Sequence, residues 1–188
     1  MKDHLIRNWI LGLAVFVGAA VVLYLFLGPG RRIGSQDVPG SAGVTGNLVD
    51  SSVRLYFSDR ETGLLKTEER NMRHPETTLE FGRMILGALL IGPEKNGERT
   101  LPSETLLRAF YVLRDGTAVV DFSKEVATRH PGGAMSEYAT IMSVVHSLAT
   151  NIPDIKRVRF LVDGKEKETL AGHIDLGEPF SPDPSWVR

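Results

Sequence analysis

Between Trp9 and Leu27 the chain reads WILGLAVFVGAAVVLYLFL, nineteen apolar or small residues without a charge. A helix of that length spans about 28 Å, close to the hydrocarbon thickness of a bilayer. Trp9 stands at one end of the run and Tyr24 near the other, where amphipathic aromatics suit the two membrane interfaces. A cleavable signal peptide has a shorter apolar region of about 7–15 residues, followed by a small-residue cleavage site. Here the run is longer, and Leu27-Gly28-Pro29-Gly30-Arg31-Arg32 is a poor cleavage site. The sequence therefore predicts a single transmembrane anchor over 9–27, after a short tail over 1–8. Lys2 and Arg7 on one side nearly balance Arg31 and Arg32 on the other. The short tail is the simpler part to leave inside, which places the C-terminal domain on the extracytoplasmic side of the cytoplasmic membrane. Cysteine is absent, so the chain offers no disulfide, no thiolate chemistry and no thiol for lipid attachment.

Residues 28–52 hold glycines at 28, 30, 34, 40, 43 and 46, with Pro29 and Pro39 and no apolar period. They read as a flexible linker with a root-mean-square span of roughly 25–30 Å. A folded domain is expected over 53–178, then a proline-rich tail over 179–188. Val53, Leu55 and Phe57 alternate as one face of a strand, and a more polar strand is expected over Leu64 to Arg70. Pro75 opens a helix in which Thr77 and Glu80 have capping-box spacing, and Gly92-Pro93 closes it. Asp115-Gly116 between two apolar runs predicts a hairpin joining Leu107–Leu113 to Thr117–Phe122. A second helix follows over Ala134–Thr150, then strands over Arg157–Val162 and Thr169–Leu176. Helices that come after hairpins, and not between every pair of strands, argue for an α+β fold. Two helices are expected on one face of a mostly antiparallel or mixed sheet.

The order of these segments resembles the GerM-type (GerMN, sporulation and spore germination) domain. Val53-Arg54-Leu55-Tyr56-Phe57-Ser58-Asp59 resembles its first strand, and Leu89-Leu90-Ile91-Gly92-Pro93 resembles its Leu-Leu-x-Gly-Pro helix stop. The run from Asp115 to Ser123 is similar to its second hairpin arm. Gly133, Ser136-Glu137 and Val158-Arg159-Phe160-Leu161-Val162-Asp163-Gly164 complete the pattern. The resemblance implies a bacterial, extracytoplasmic domain similar in fold to ring-building modules of secretion and sporulation machinery. It implies a binding or assembly role and carries no catalytic residues with it. The chain departs from lipoprotein members of the family in having no lipobox cysteine, and from tandem members in having room for one domain.

Formal charge is −1, and the short basic groups around Lys156 and Lys165 are interleaved with carboxylates. A nucleic-acid partner is not expected, because such binders carry a basic surplus or stripe. Of the five histidines, no pair after His4 has metal-ligand spacing. No cofactor motif is present, and no metal or cofactor is expected. Ser136 and His146 lie ten residues apart on one helix, about 15 Å along its axis, too far to act as nucleophile and base. A hydrolase would need Asp121, His130 and Glu137 brought together by the fold. A sensor for a cell-wall fragment or small molecule would need a concave pocket with convergent polar groups.

The second helix carries the sharpest local signal. Tyr138, Ile141, Met142, Val145, Leu148 and Ala149 form an apolar stripe. Opposite it lie Ser136, Thr140, Ser143 and Ser147, with Val144 beside them, where a solvent face would hold Lys and Glu. This small, uncharged face is expected to meet a protein partner or a second copy of the domain. On that reading Ser143→Glu with Ser147→Arg abolishes assembly and leaves folding intact.

Overall fold

The computed structural model describes residues 50–95 and 97–188. The anchor predicted over 9–27 lies outside them, as does the linker predicted over 28–52 except for its last three residues. Those three begin β1 (Asp50–Ser58), which pairs antiparallel with β2 (Leu65–Arg73), Arg54 opposite Glu69 and Tyr56 opposite Thr67. Val53, Leu55 and Phe57 are buried as the alternation requires.

Helix α1 (Thr78–Ile91) starts where the capping signal stands: Thr77 Oγ1 accepts from the Glu80 N–H at 3.2 Å. It stops at Gly92, whose φ of +91° suits only glycine, and an ideal Cβ there would fall 2.8 Å from the Arg99 guanidinium. The last carbonyls of a helix lack intrahelical partners and carry the negative end of its dipole. Two guanidiniums satisfy them here. Arg70 Nη2 donates to Gly92 O at 2.6 Å, and Arg99 Nη1 donates to Leu90 O at 2.8 Å with Nη2 reaching Ile91 O. Arg70 is itself held by buried Glu68, Nε to Oε1 at 2.7 Å, and the same carboxylate accepts from the Lys95 N–H at 2.9 Å. Burial pushes the Glu68 carboxyl up, but Arg70 and the N–H groups of Glu94 and Lys95 outweigh it and hold it below its ordinary value. The helix lies close on the next sheet because Gly82 has no side chain: a Cβ there would sit 2.2 Å from the Phe110 ring.

The second sheet has the order β3-β4-β5, with β3 (Leu107–Val112) antiparallel to β4 (Thr117–Phe122) and β5 (Arg157–Val162) parallel to β4. A parallel pair needs a crossover. The chain supplies it with a short α2 (Glu125–Thr128) and a long α3 (Ala134–Asn151). Phe110, Val120 and Phe160 share a row on the inner face and are buried. α3 packs against β1, and α1 packs against α3, β3 and β1.

The α+β class stands, with two corrections. The strands form two sheets where one was expected, because β1 turns its second edge to α3. No strand spans Thr169–Leu176: Thr169 and Asp175 make one isolated bridge, and the segment is a loop closed around a buried carboxylate. The proline-rich tail is built into the fold. Phe180 exchanges both backbone hydrogen bonds with Val158 at 2.8 Å, and Arg188 N donates to Leu65 O at 2.9 Å. Phe180 stacks edge-on against Phe160 at 6.1 Å, and Trp186 does so against Tyr138 at 4.5 Å.

Candidate functional site

In an antiparallel pair, alternate residues turn both backbone groups away from the partner strand. In β1 these include Ser52, Arg54, Tyr56 and Ser58, and left open they would be a bare edge. The α3 hydroxyl stripe closes it. Ser147 Oγ accepts from Tyr56 N at 3.0 Å and Ser143 Oγ donates to Tyr56 O at 2.7 Å. One turn on, Asn151 accepts from Arg54 N at 3.0 Å and donates to Arg54 O at 2.7 Å. Ser58 exchanges bonds with the Glu98 backbone at 3.2 and 2.8 Å. Thr100 Oγ1 lies 2.7 Å from Ser143 Oγ, and Thr140 Oγ1 donates to Thr100 O.

The expected partner face on Thr140, Ser143, Val144 and Ser147 is therefore corrected. All four are buried, Ser143, Val144 and Ser147 completely, and only Ser136 keeps partial exposure. Small side chains do allow close approach here, but the surface that approaches is the domain's own first strand.

The three hydrolase candidates are each committed elsewhere. Asp121 accepts from Gly164 N at 2.8 Å and from Arg108 Nε at 3.2 Å. His130 Nδ1 accepts from Gly132 N at 3.0 Å, which leaves Nε2–H to donate to Thr140 Oγ1 at 3.0 Å. Glu137 has no exposed surface; it accepts from Leu170 N and Ala171 N at 2.8 Å, from His173 N at 2.9 Å, and faces His173 Nδ1 at 3.2 Å. No two of the three share a hydrogen bond. Among the described residues no group of three or more His, Cys, Asp or Glu could hold a metal ion.

Burial drives the Glu137 carboxyl up, but the N–H groups of Ala171, His173, Ile174 and Leu170 overcome it and leave it below its ordinary value. Burial pushes both His130 and His146 down, His130 against the field of Glu137 and His146 against its contact with Asp183. A histidine with a depressed folded value contributes stability that is present above its ordinary 6.5 and lost as pH falls through the folded value. The buried carboxylates behave alike from their ordinary 4.5 downward. Thermal melting is therefore expected to fall as pH drops below 6.5 and again below 4.5. Replacing His130 and His146 by Gln should flatten the first fall and leave the second; an unflattened first fall contradicts the assignment.

Two surface features also stand out. The outer face of the second sheet carries the rows Ala109–Asp121–Leu161 and Tyr111–Val119–Arg159. Tyr111 is 54% exposed and Leu113, just beyond the strand, 51%. The other is a groove of ≈ 590 Å³ between β2 and α1, lined by Met72, Met84, Gly87 and Ile91. Sequence reading missed the Glu68–Arg70 pair. Its signal was two charged residues spaced by two on β2, which the hairpin register places opposite buried Leu55 and Val53.

Solved structures share this architecture. A lipoprotein candidate from Clostridium perfringens is 27% identical over 71% of this chain and 87% of its own, with a TM-score of 0.51. The tandem GerMN domains of the sporulation protein GerM from Bacillus subtilis give 21% identity and a TM-score of 0.54, over 70% of this chain and 46% of theirs. The first GerMN domain of that protein gives 22% and 0.51, over 71% of this chain and 96% of its own. Both GerM likenesses speak to fold alone. No curated protein matches the chain. The model of one family, Germane, described as sporulation and spore germination, matches residues 54–168, the stretch from β1 past β5 that holds the β1–α3 seam and the inner rows of the second sheet. The chain belongs to that family.

Proposed function

We propose that this is a single-pass membrane protein whose folded domain stands outside the cytoplasmic membrane and works by binding another protein. Its place is a cell-envelope assembly concerned with the cell wall, secretion or sporulation. The observation that carries this reading is the contrast between interior and surface. Glu68, Glu137, Asp121, His130 and the α3 hydroxyls are all spent on structure, while Tyr111 and Leu113 stand exposed beside Val119 on a sheet face. Aromatic side chains at the centre of an exposed face are the commonest anchors of protein contacts. Membership of a sporulation and germination family and the apolar run over 9–27 support the setting.

The test is a photo-crosslinking amino acid placed at Tyr111 and, as a control, at exposed Thr128, in cells carrying the full chain. A defined adduct to another protein is expected from position 111 and not from 128, and Tyr111→Glu should weaken that association roughly tenfold or more. Equal labelling from both positions, or a C-terminal tag shielded from protease in intact spheroplasts, would refute the reading.

A further inference from the structure

The residues of β2 opposite Arg54 and Tyr56 are Glu69 and Thr67, so they too turn both backbone groups away from the hairpin, as does Asn71. All three are exposed, and no backbone partner for them exists among the described residues. β1 has its second edge closed by α3 at Arg54 and Tyr56; β2 has no such cover at Thr67, Glu69 and Asn71 among the described residues. At one point the edge is already used: Val187 bridges Leu65 in parallel, and Arg188 N donates to Leu65 O. The protein's own tail thus shows the kind of occupant that this edge takes, an extended chain.

Beside the open part of the edge lies the β2–α1 groove. Its floor is Met72, Met84 and Gly87, and Ile91 stands 69% exposed at one end. A Cβ on Gly87 would meet nothing within 4 Å, so the missing side chain leaves open space. Methionine suits a surface that must adapt to varied apolar side chains. The rim is acidic. Glu94 lies 3.5 Å from Arg70, which is already paired with buried Glu68, so one guanidinium stands between two carboxylates; exposed Glu69 pairs with Arg54 at 3.3 Å, so the carboxylates Glu68, Glu69 and Glu94 outnumber the guanidiniums Arg54 and Arg70 by one.

We propose that the β2 edge from Thr67 to Asn71, with the Met72–Met84–Ile91 groove, binds an extended segment of another protein in which apolar and basic residues alternate. Backbone groups of the segment continue the sheet, apolar side chains enter the groove, basic ones on the opposite face meet Glu69, and a basic residue at the segment's end meets Glu94 on the groove side. This is strand addition with side-chain pockets beneath it. The site is separate from the outer face of the second sheet, so its failure leaves a crosslink from Tyr111 untouched.

The probe is the peptide acetyl-Lys-Val-Arg-Ile-Lys-Val-Arg-amide, titrated against the full chain in detergent by fluorescence anisotropy. Measurable binding is expected, weakened about tenfold or more by N-methylation at alternate residues or by exchanging its basic residues for Glu. Two variants address the site and should melt as the parent does. Asn71→Pro removes an outward N–H that β1 does not use, and Gly87→Arg fills the groove while favouring the helix. Each should weaken binding about tenfold. Absence of binding at millimolar peptide, binding by either variant as tight as the parent's, or preference for the acidic peptide would overturn the proposal. So would a dimer that Asn71→Pro dissolves, since the occupant would then be a second copy.

Discussion

Glu137→Ala should destabilise the domain by roughly 3–5 kcal/mol, a large part of the roughly 5–15 kcal/mol that holds a typical domain together. The carboxylate has no exposed surface, yet it is charged, because the loop over 169–176 aims three backbone N–H groups at it from 2.8–2.9 Å. It lies in the first turn of α3, where the helix dipole also favours a negative charge. Removing it strands those donors without water, and an unsatisfied buried group costs about 1–3 kcal/mol each. Glu137→Gln restores an acceptor to Leu170 and Ala171 but turns an amide NH2 toward the N–H of His173. It should cost less than the alanine, about 1–3 kcal/mol, and release the loop first. Urea unfolding gives the totals, and amide exchange at Leu170, Ala171 and His173 gives the local effect. A loss under about 1 kcal/mol for Glu137→Ala, with exchange unchanged, would mean that the loop is held by something else.

The same residue shows what the sequence could disclose. Glu137 in a helix first turn reads as an ordinary dipole-favoured carboxylate, and nothing local marks it as buried, because its partners lie more than thirty residues on. The sequence predicts a strand over Thr169–Leu176 there, since Leu170, Ile174 and Leu176 mimic alternation. The N–H groups that a strand would have spent on a neighbour go to the carboxylate instead. Features with local causes were legible: the Thr77 cap, the Gly92 stop, the Asp115-Gly116 turn, and Val53, Leu55 and Phe57 on one face. Pairing across the chain was not. Nothing in β5 says that it lies parallel to β4, and the division into two sheets depends on α3 taking the β1 edge. The family resemblance was legible because it rests on the order of the local signals, which the match over 54–168 now carries.

The α3 stripe is where a local reading and the fold part most sharply, and a double substitution separates them. Ser143→Glu with Ser147→Arg would leave folding intact if that face looked outward. In the structure both hydroxyls are fully buried and serve the two backbone groups of one residue, Tyr56, at 2.7 and 3.0 Å. Larger side chains at these places must push α3 away from β1, because even an ion pair formed between them four residues apart on the helix does not fit the space of two small hydroxyls and restores neither hydrogen bond to Tyr56. Burying such a pair costs several kcal/mol of desolvation, and opening the seam exposes the β1 edge. The double variant is expected not to fold: its melting transition should vanish, and protease should cleave within α3. Ser143→Ala and Ser147→Ala supply the graded version. Each keeps the close approach and orphans one Tyr56 group, at about 1–3 kcal/mol, and because both act on the same residue their effects should not simply add. Ser147→Ala leaves a buried N–H with no acceptor. Ser143→Ala leaves a carbonyl, and also Thr100, without its partner hydroxyl. A charged double variant that melts like the parent would show that the β1–α3 seam opens at little cost, and the hydroxyl face would again be a contact surface for another molecule.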